Sequence, residues 1–375
     1  MKAITSFNYI LGAGLALAGI FFSGCDKDAG NVGCSGAPTI TKVVKPTSRT
    51  TTLDSAAFRE FVTIEGQNLC SVEEIRFNDI KVSSEDYFAT PTEITVRVPS
   101  DVPQEIMDKV FVATKGGEAT ASFVVKIPPL TIASVDNEYA PAGTTMTLVG
   151  PSFKIYGFTE GKGKVFFGDA EATITKASAD TLLVIVPANA TQGAAIKAVA
   201  SNGATGTFAY PYKDNTNLVF DFDTKPGTST SFITNSATPG PISGNYVRVN
   251  RNVPVWSAQE FIRGTGRLTA DIVAHPENYL YKFEVNTQRP FNKQGIRMWA
   301  DYGISGTYYL WNPSVSPFDT QGKWVTYSIP LFDIVKTAPI TARANNDYTF
   351  RAIVYGPEAF DMDFSMDNVR IVPKK

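Results

Sequence analysis

The run Ile296-Arg297-Met298-Trp299-Ala300-Asp301 alternates apolar and polar or aromatic side chains. In an extended strand, residues two apart share a face. Ile296, Met298 and Ala300 therefore make one apolar side, and Arg297, Trp299 and Asp301 make the other. The next run, Thr307-Tyr308-Tyr309-Leu310-Trp311-Asn312, reads with Tyr308 and Leu310 inward and Tyr309 and Trp311 outward. A hairpin turning over Gly303 to Gly306 would bring Trp299, Tyr309 and Trp311 onto one exposed face beside Arg297 and Asp301. Flat rings lie against the C–H faces of sugars at small entropic cost, while charged groups take the hydroxyls. The chemistry implied is the holding of a polysaccharide, with a β-linked backbone best suited to a flat face; inward packing is the alternative for each ring. Trp256, in Val253-Pro254-Val255-Trp256-Ser257, reads either as a rim of that platform or as a plug at a sheet edge. Trp324, after Gly322-Lys323, reads as a structural ring at a strand start.

Residues suited to making or breaking bonds are sparse. His275 is the single histidine, so any Ser-His-Asp triad must use it, and sites built on two or more His ligands are excluded. It precedes Pro276 in a polar turn, which suits a surface loop. A glycosidase needs only two carboxylates ~5 to 9.5 Å apart, and the chain has 36 acidic residues, but no segment gathers them. Asp361, Asp363 and Asp367 do not follow the spacing of a calcium loop, and a solvated strand edge is the plainer reading. No metal and no cofactor is expected. A net charge of -2 and a pI near 5.7 give no global field for nucleic acid.

The elements that must position the aromatic residues read as β throughout. Short alternating runs such as Glu93-Ile94-Thr95-Val96-Arg97-Val98 recur between Gly, Pro, Asn and Asp clusters, at the spacing of sandwich strands. The stretch Val102 to Lys109, with some helical character, is too short to change the class. Two segments repeat about 85 to 90 residues apart. Val62-Thr63-Ile64-Glu65-Gly66-Gln67-Asn68-Leu69, Ile75-Arg76-Phe77-Asn78, Val96-Arg97-Val98-Pro99, Gly116-Gly117 and Phe123 form the first. Met146-Thr147-Leu148-Val149-Gly150-Pro151-Ser152-Phe153, Val165-Phe166-Phe167-Gly168, Val184-Ile185-Val186-Pro187, Asn202-Gly203 and Phe208 form the second. These units resemble the immunoglobulin-like IPT/TIG domain, over residues 37–127 and 128–211, with Pro128-Pro129 and Pro211 at the joints. The resemblance implies two sandwiches in tandem acting as a spacer.

From residue 212 to 375 the pattern changes, and all four tryptophans fall here. The segments Leu218-Val219-Phe220-Asp221-Phe222-Asp223, Tyr279-Leu280-Tyr281-Lys282-Phe283-Glu284-Val285 and Met366-Asp367-Asn368-Val369-Arg370-Ile371-Val372 resemble a carbohydrate-binding-module jelly roll. The fold class expected is therefore all-β: two immunoglobulin-like sandwiches followed by a carbohydrate-binding β-sandwich or jelly roll.

At the other end, Lys2 precedes an apolar run from Tyr9 to Phe22 that closes on Phe22-Ser23-Gly24-Cys25. About 14 residues suit a signal peptide over 1–24 better than a span of the bilayer, which needs ~20. Small residues before a cysteine resemble the bacterial lipobox, which implies a diacylated Cys25 and stable anchoring. Asp26 and Asp28 beside it resemble the surface-export signal of Bacteroidetes lipoproteins, and residues 25–36 read as a flexible tether. Cys34 and Cys70 can then pair as a disulfide in an oxidising compartment or remain two buried thiols; the sequence leaves both open. Taken together, lipobox, tandem IPT/TIG units and terminal domain resemble the surface glycan-binding proteins of Bacteroidetes polysaccharide-utilisation loci. That resemblance implies a non-catalytic protein on the exterior of the outer membrane, with a polysaccharide ligand. It further implies a TonB-dependent importer complex and surface glycoside hydrolases as protein partners. Adhesion through the aromatic face, or glycoside hydrolysis, are the alternatives.

Overall fold

The computed structural model describes residues 34–227, 231–302, 307–313 and 316–375. The signal peptide, Cys25 with Asp26 and Asp28, most of the tether, and the turn at Gly303 to Gly306 lie outside the described residues. The chain forms two compact units, divided between Ile127 and Pro128.

The first unit is a two-sheet sandwich. One sheet has the order Ser48–Thr52, Thr39–Lys45, Phe61–Gln67, Glu93–Arg97, Tyr87–Ala89, and the other Gly117–Ser122, Lys109–Thr114, Val72–Phe77, Ile80–Lys81. Alternation sends Val62, Ile64, Ile94 and Val96 from one sheet against Ile75, Phe77, Val110 and Val112 from the other. Burial of apolar side chains from both inner faces is what joins such sheets. A disulfide links Cys34 to Cys70, with the two Cα atoms 6.2 Å apart. No helix forms over residues 102–109.

The second unit begins with one rolled sheet in the order Ser134–Val135, Thr145–Val149, Thr181–Ile185, Ala170–Ala177, Lys164–Phe167, Ile196–Val199, Thr205–Thr207. The glycine shared by the two sequence repeats has one physical cause in both. A Cβ on Gly66 would stand 1.8 Å from the Thr39 carbonyl oxygen, and one on Gly150 would stand 2.0 Å from that of Thr131. Each glycine thus lets two backbones approach where a side chain cannot fit.

Residues 212–375 form a sandwich of a large and a small sheet. In the large sheet the order is Ile233–Thr234, Tyr246–Val253, Phe360–Pro373, Tyr279–Thr287, Val325–Pro330, with Leu218–Phe220 also paired to Phe360–Pro373. The small sheet runs Gln259–Arg267, Asp347–Tyr355, Gly295–Trp299, Tyr309–Trp311. Phe283, Val285, Phe364 and Met366 from the large sheet meet Phe261, Ile296, Met298, Phe350 and Val354 from the small one.

Residues 128–211 and 212–375 belong to the same compact unit, because a loop of the first covers the outer face of the large sheet. Tyr139 Oη donates to the Asp214 carbonyl at 2.6 Å and Tyr212 Oη to that of Ala140 at 2.6 Å, which pins the loop. The Thr326 amide donates to the Asp136 carbonyl, and the Glu138 amide to Thr326 Oγ1, both at 2.8 Å. Arg370, fully buried, contacts Glu284 at 2.9 and 3.0 Å and Glu138 at 2.8 Å, and Lys282 pairs with Glu138. Burial pushes Lys282 down and Glu284 up. In Arg370 burial is outweighed by Glu284 and Glu138, so its pKa is raised and the guanidinium is the fixed charge of the network.

Candidate functional site: the outer face of the small sheet

Cross-strand register decides which side chains face outward. Ile296 pairs with Trp311, Arg297 with Leu310 and Met298 with Tyr309. Because directly opposed residues project to the same side, Trp311 and Tyr309 share the inward face of Ile296 and Met298. The expectation for this strand is therefore reversed: Tyr308 and Leu310 are outward. Trp311 is 7% exposed, stacked on Tyr327 at 4.6 Å and ringed by Phe283, Phe291, Phe318 and Phe364. Tyr309 is half-buried against the same core, and burial raises its phenol pKa. Neither ring is available to a ligand on the outer face.

The phase of the neighbouring strand is as expected, with Arg297 and Trp299 outward. Trp299 is nonetheless only 6% exposed, packed with Ala338 and Ile353, its indole N–H donating to the Thr307 carbonyl at 2.7 Å. Asp301, expected beside it as a presented carboxylate, is 2% exposed and gripped by Arg343 Nη2 at 2.8 and 2.6 Å. Burial pushes its pKa up against the pull of Arg343. It is a buried half of an ion pair, not a hydroxyl acceptor on the surface.

What does lie on the face is a continuous aromatic and cationic row. Trp256 is 56% exposed, held at φ 55° by its amide bonding to the Gly356 carbonyl, with its ring 5.3 Å from Tyr355. The ring therefore lies open on the surface and is not buried as an edge plug. Tyr355 lies 4.0 Å from the Arg297 guanidinium, which lies 4.4 Å from Tyr308 on its other side. Tyr308 continues to Trp299 at 5.7 Å, and Trp299 to the exposed Tyr302 at 5.5 Å. Arg351 sits 4.1 Å over Tyr302, and Leu310 projects beside Arg297.

Tyr355, Tyr308, Tyr302 and Leu310 are thus the residues of this candidate face that sequence reasoning missed. Phe350-Arg351-Ala352-Ile353-Val354-Tyr355 carries a usable signal: with Ala352 and Val354 inward, Arg351, Ile353 and Tyr355 must face out. Trp324 is structural, its indole donating to the Gly240 carbonyl at 2.8 Å and its ring set on Tyr246.

Among the described residues, the carboxylates on and around this face are held in ion pairs. Glu260 is engaged by Arg351 and Asp301 by Arg343. Asp363 is held by Arg248 at 2.8 Å through both oxygens, and Asp361 by Arg289 at 2.7 Å. Among the described residues no three His, Cys, Asp or Glu side chains are placed to hold a metal ion. His275 is on the surface, in the turn before Pro276, next to Glu277.

Residues 212–373 match the family described as the surface glycan-binding protein B xyloglucan binding domain, and residues 130–213 match the IPT/TIG domain. Among solved structures, the chain is similar to a surface glycan-binding protein of Prevotella bryantii, at 21% identity and a TM-score of 0.62, over 91% of this chain and 100% of that one. It is also similar to a protein crystallised with a xylogluco-oligosaccharide, at 18% identity and a TM-score of 0.54, over 91% and 80% of the two chains. These likenesses establish the fold. No curated protein matches the chain. The chain thus carries an IPT/TIG domain at residues 130–213, followed at 212–373 by a domain that matches the surface glycan-binding protein B xyloglucan binding domain.

Proposed function

We propose that the chain captures a β-linked polysaccharide of the xyloglucan type on the outer face of its small sheet, without acting on it chemically. The observation that carries this reading is the row Trp256–Tyr355–Arg297–Tyr308–Trp299, set on paired strands in a domain of a glycan-binding family. Rings held by neighbouring rings need little ordering on binding, and affinity for sugars depends on that economy. Trp256 and Tyr355 supply the open stacking surface, with Tyr308, Leu310 and Tyr302 beside it.

The remaining parts serve presentation. Cys25 anchors the chain by lipid to the exterior of the outer membrane, where surface glycoside hydrolases and a TonB-dependent importer receive the captured glycan. Residues 37–127 act as a second IPT/TIG unit; the close-approach glycine they share with residues 128–211 supports that assignment. Many copies engaging one long chain would gain in retention, since each further contact is effectively intramolecular.

The test is isothermal titration of the purified full chain with xyloglucan, beside Trp256→Ala and Tyr355→Ala. Saturable binding that either substitution weakens at least about tenfold, with the thermal transition unmoved, is expected for a preformed aromatic site. Full-strength binding by both variants would remove the site from this face. Release of reducing ends from the bound polymer would overturn the non-catalytic reading.

A further inference from the structure

Arg297 is the anomaly of the aromatic row. Its guanidinium is packed between Tyr355 at 4.0 Å and Tyr308 at 4.4 Å. Stacking uses the flat faces of a guanidinium and leaves its rim of N–H donors free. Among the described residues, no carboxylate and no hydrogen-bond acceptor serves those donors, whereas neighbouring Arg351 is held by Glu260 and Arg343 by Asp301. Arg297 is part-exposed, and none of its nitrogens is among the buried atoms that lack a partner, so its donors stay open to solvent and to a ligand. A half-buried cation with unfilled donors in a ligand-facing row is matched to an anion.

The surrounding charges point the same way. On this face Asp347 is taken by Arg267 and Asp301 by Arg343, which leaves Arg263, Arg297 and Arg351 against Glu260, Arg263 being 3.9 Å from it. At the adjoining sheet edge, a groove of about 470 Å³ is lined by Lys225, Arg263 and Arg267, with no carboxylate among its lining residues. The chain as a whole is net negative, so this local excess of positive charge is not inherited from composition.

We infer that the site selects a glycan bearing carboxylates, that is, uronic acid units on or along a β-linked backbone, with Arg297 gripping the carboxylate while Trp256 and Tyr355 stack the sugar rings. The planar fork of a guanidinium fits both oxygens of a carboxylate at once, and such charge-assisted pairs are among the stronger hydrogen bonds. A neutral polymer offers hydroxyls to the same donors at a weaker grip. This inference rests on the small-sheet face being the glycan site.

A matched pair of ligands tests it: xyloglucan, and the same xyloglucan whose side-chain primary alcohols have been oxidised to carboxylates. The two differ only in charge. Titrated into the full chain at low salt, the oxidised polymer is expected to bind roughly tenfold more tightly than the neutral one. That ratio should shrink at high salt, fall towards one in Arg297→Gln, and survive in part in Arg297→Lys, which keeps the charge but loses the fork. The salt dependence of the wild-type ratio decides the matter even if a substitution impairs folding. Equal or weaker binding of the oxidised polymer, with neutral xyloglucan bound, would overturn the inference while leaving the site in place. Binding of neither polymer would overturn both.

Discussion

The two outer faces of the C-terminal sandwich use similar residues to opposite ends. On the large sheet, Arg370, Lys282, Glu284 and Glu138 are buried together beneath the IPT/TIG loop, and every cation has a carboxylate partner. On the small sheet, arginines lie between half-exposed rings, and Arg297 has no carboxylate partner among the described residues. The difference shows what burial does to charge. Removed from water, charges must be paired within the protein, and the pairs then fix one domain on the next. At the surface, rings can support a cation and leave its donors for a ligand. One face joins, and the other is left open.

The largest effect should come from breaking the joined face. Arg370→Ala leaves Glu284 and Glu138 without their common cation, and should cost about 4 kcal/mol or more in chemical unfolding. It should loosen residues 128–211 from 212–375 as well. Trp311→Ala comes next, at about 3 kcal/mol, because it removes the ring stacked on Tyr327 from the shared core. A small loss of stability with a large loss of binding would instead return Trp311 to the ligand face. Trp256→Ala reverses the pattern. Binding should fall by about 2 kcal/mol in titration, while stability moves by less than about 0.5 kcal/mol.

The smallest effect concerns Asp367, on the covered face. One of its oxygens accepts the Asn368 amide at 2.7 Å, and the other is buried without a partner. Burial pushes its pKa well up. A raised folded pKa means that the protonated form is favoured in the native state, so this residue's contribution is present below the ordinary carboxylate pKa and is lost as pH rises through the folded value. Asp367→Asn should remove that decline and add about 1 kcal/mol at neutral pH. Thermal melts of both proteins across the acidic range check the sign.

Much of the architecture was legible because alternation and turn residues are local signals. The repeat around Gly66 and Gly150 marked both early sandwiches, and the close backbone approach explains why the pattern is kept. The phase of Tyr309–Trp311 was not legible. Both of its faces are apolar, so alternation cannot choose between them, and only pairing with Ile296 and Met298 does. The fate of Asp301 depended on Arg343, 42 residues away in sequence, and no local pattern announces such a partner. Trp256 was undecided for a similar reason, since its exposure follows from a left-handed backbone and a bond to Gly356. The junction at 211 and 212 looked like a linker because the charges that bridge it lie far apart in the chain.

The most direct test is hydrogen–deuterium exchange of the full chain with and without a xyloglucan oligosaccharide. The face assignment predicts slowed exchange in residues 254–258 and along the strands Gly295–Trp299 and Asp347–Tyr355, with residues 136–140 at the large-sheet face unchanged. Protection confined to the large-sheet side, or to residues 37–127, would contradict it.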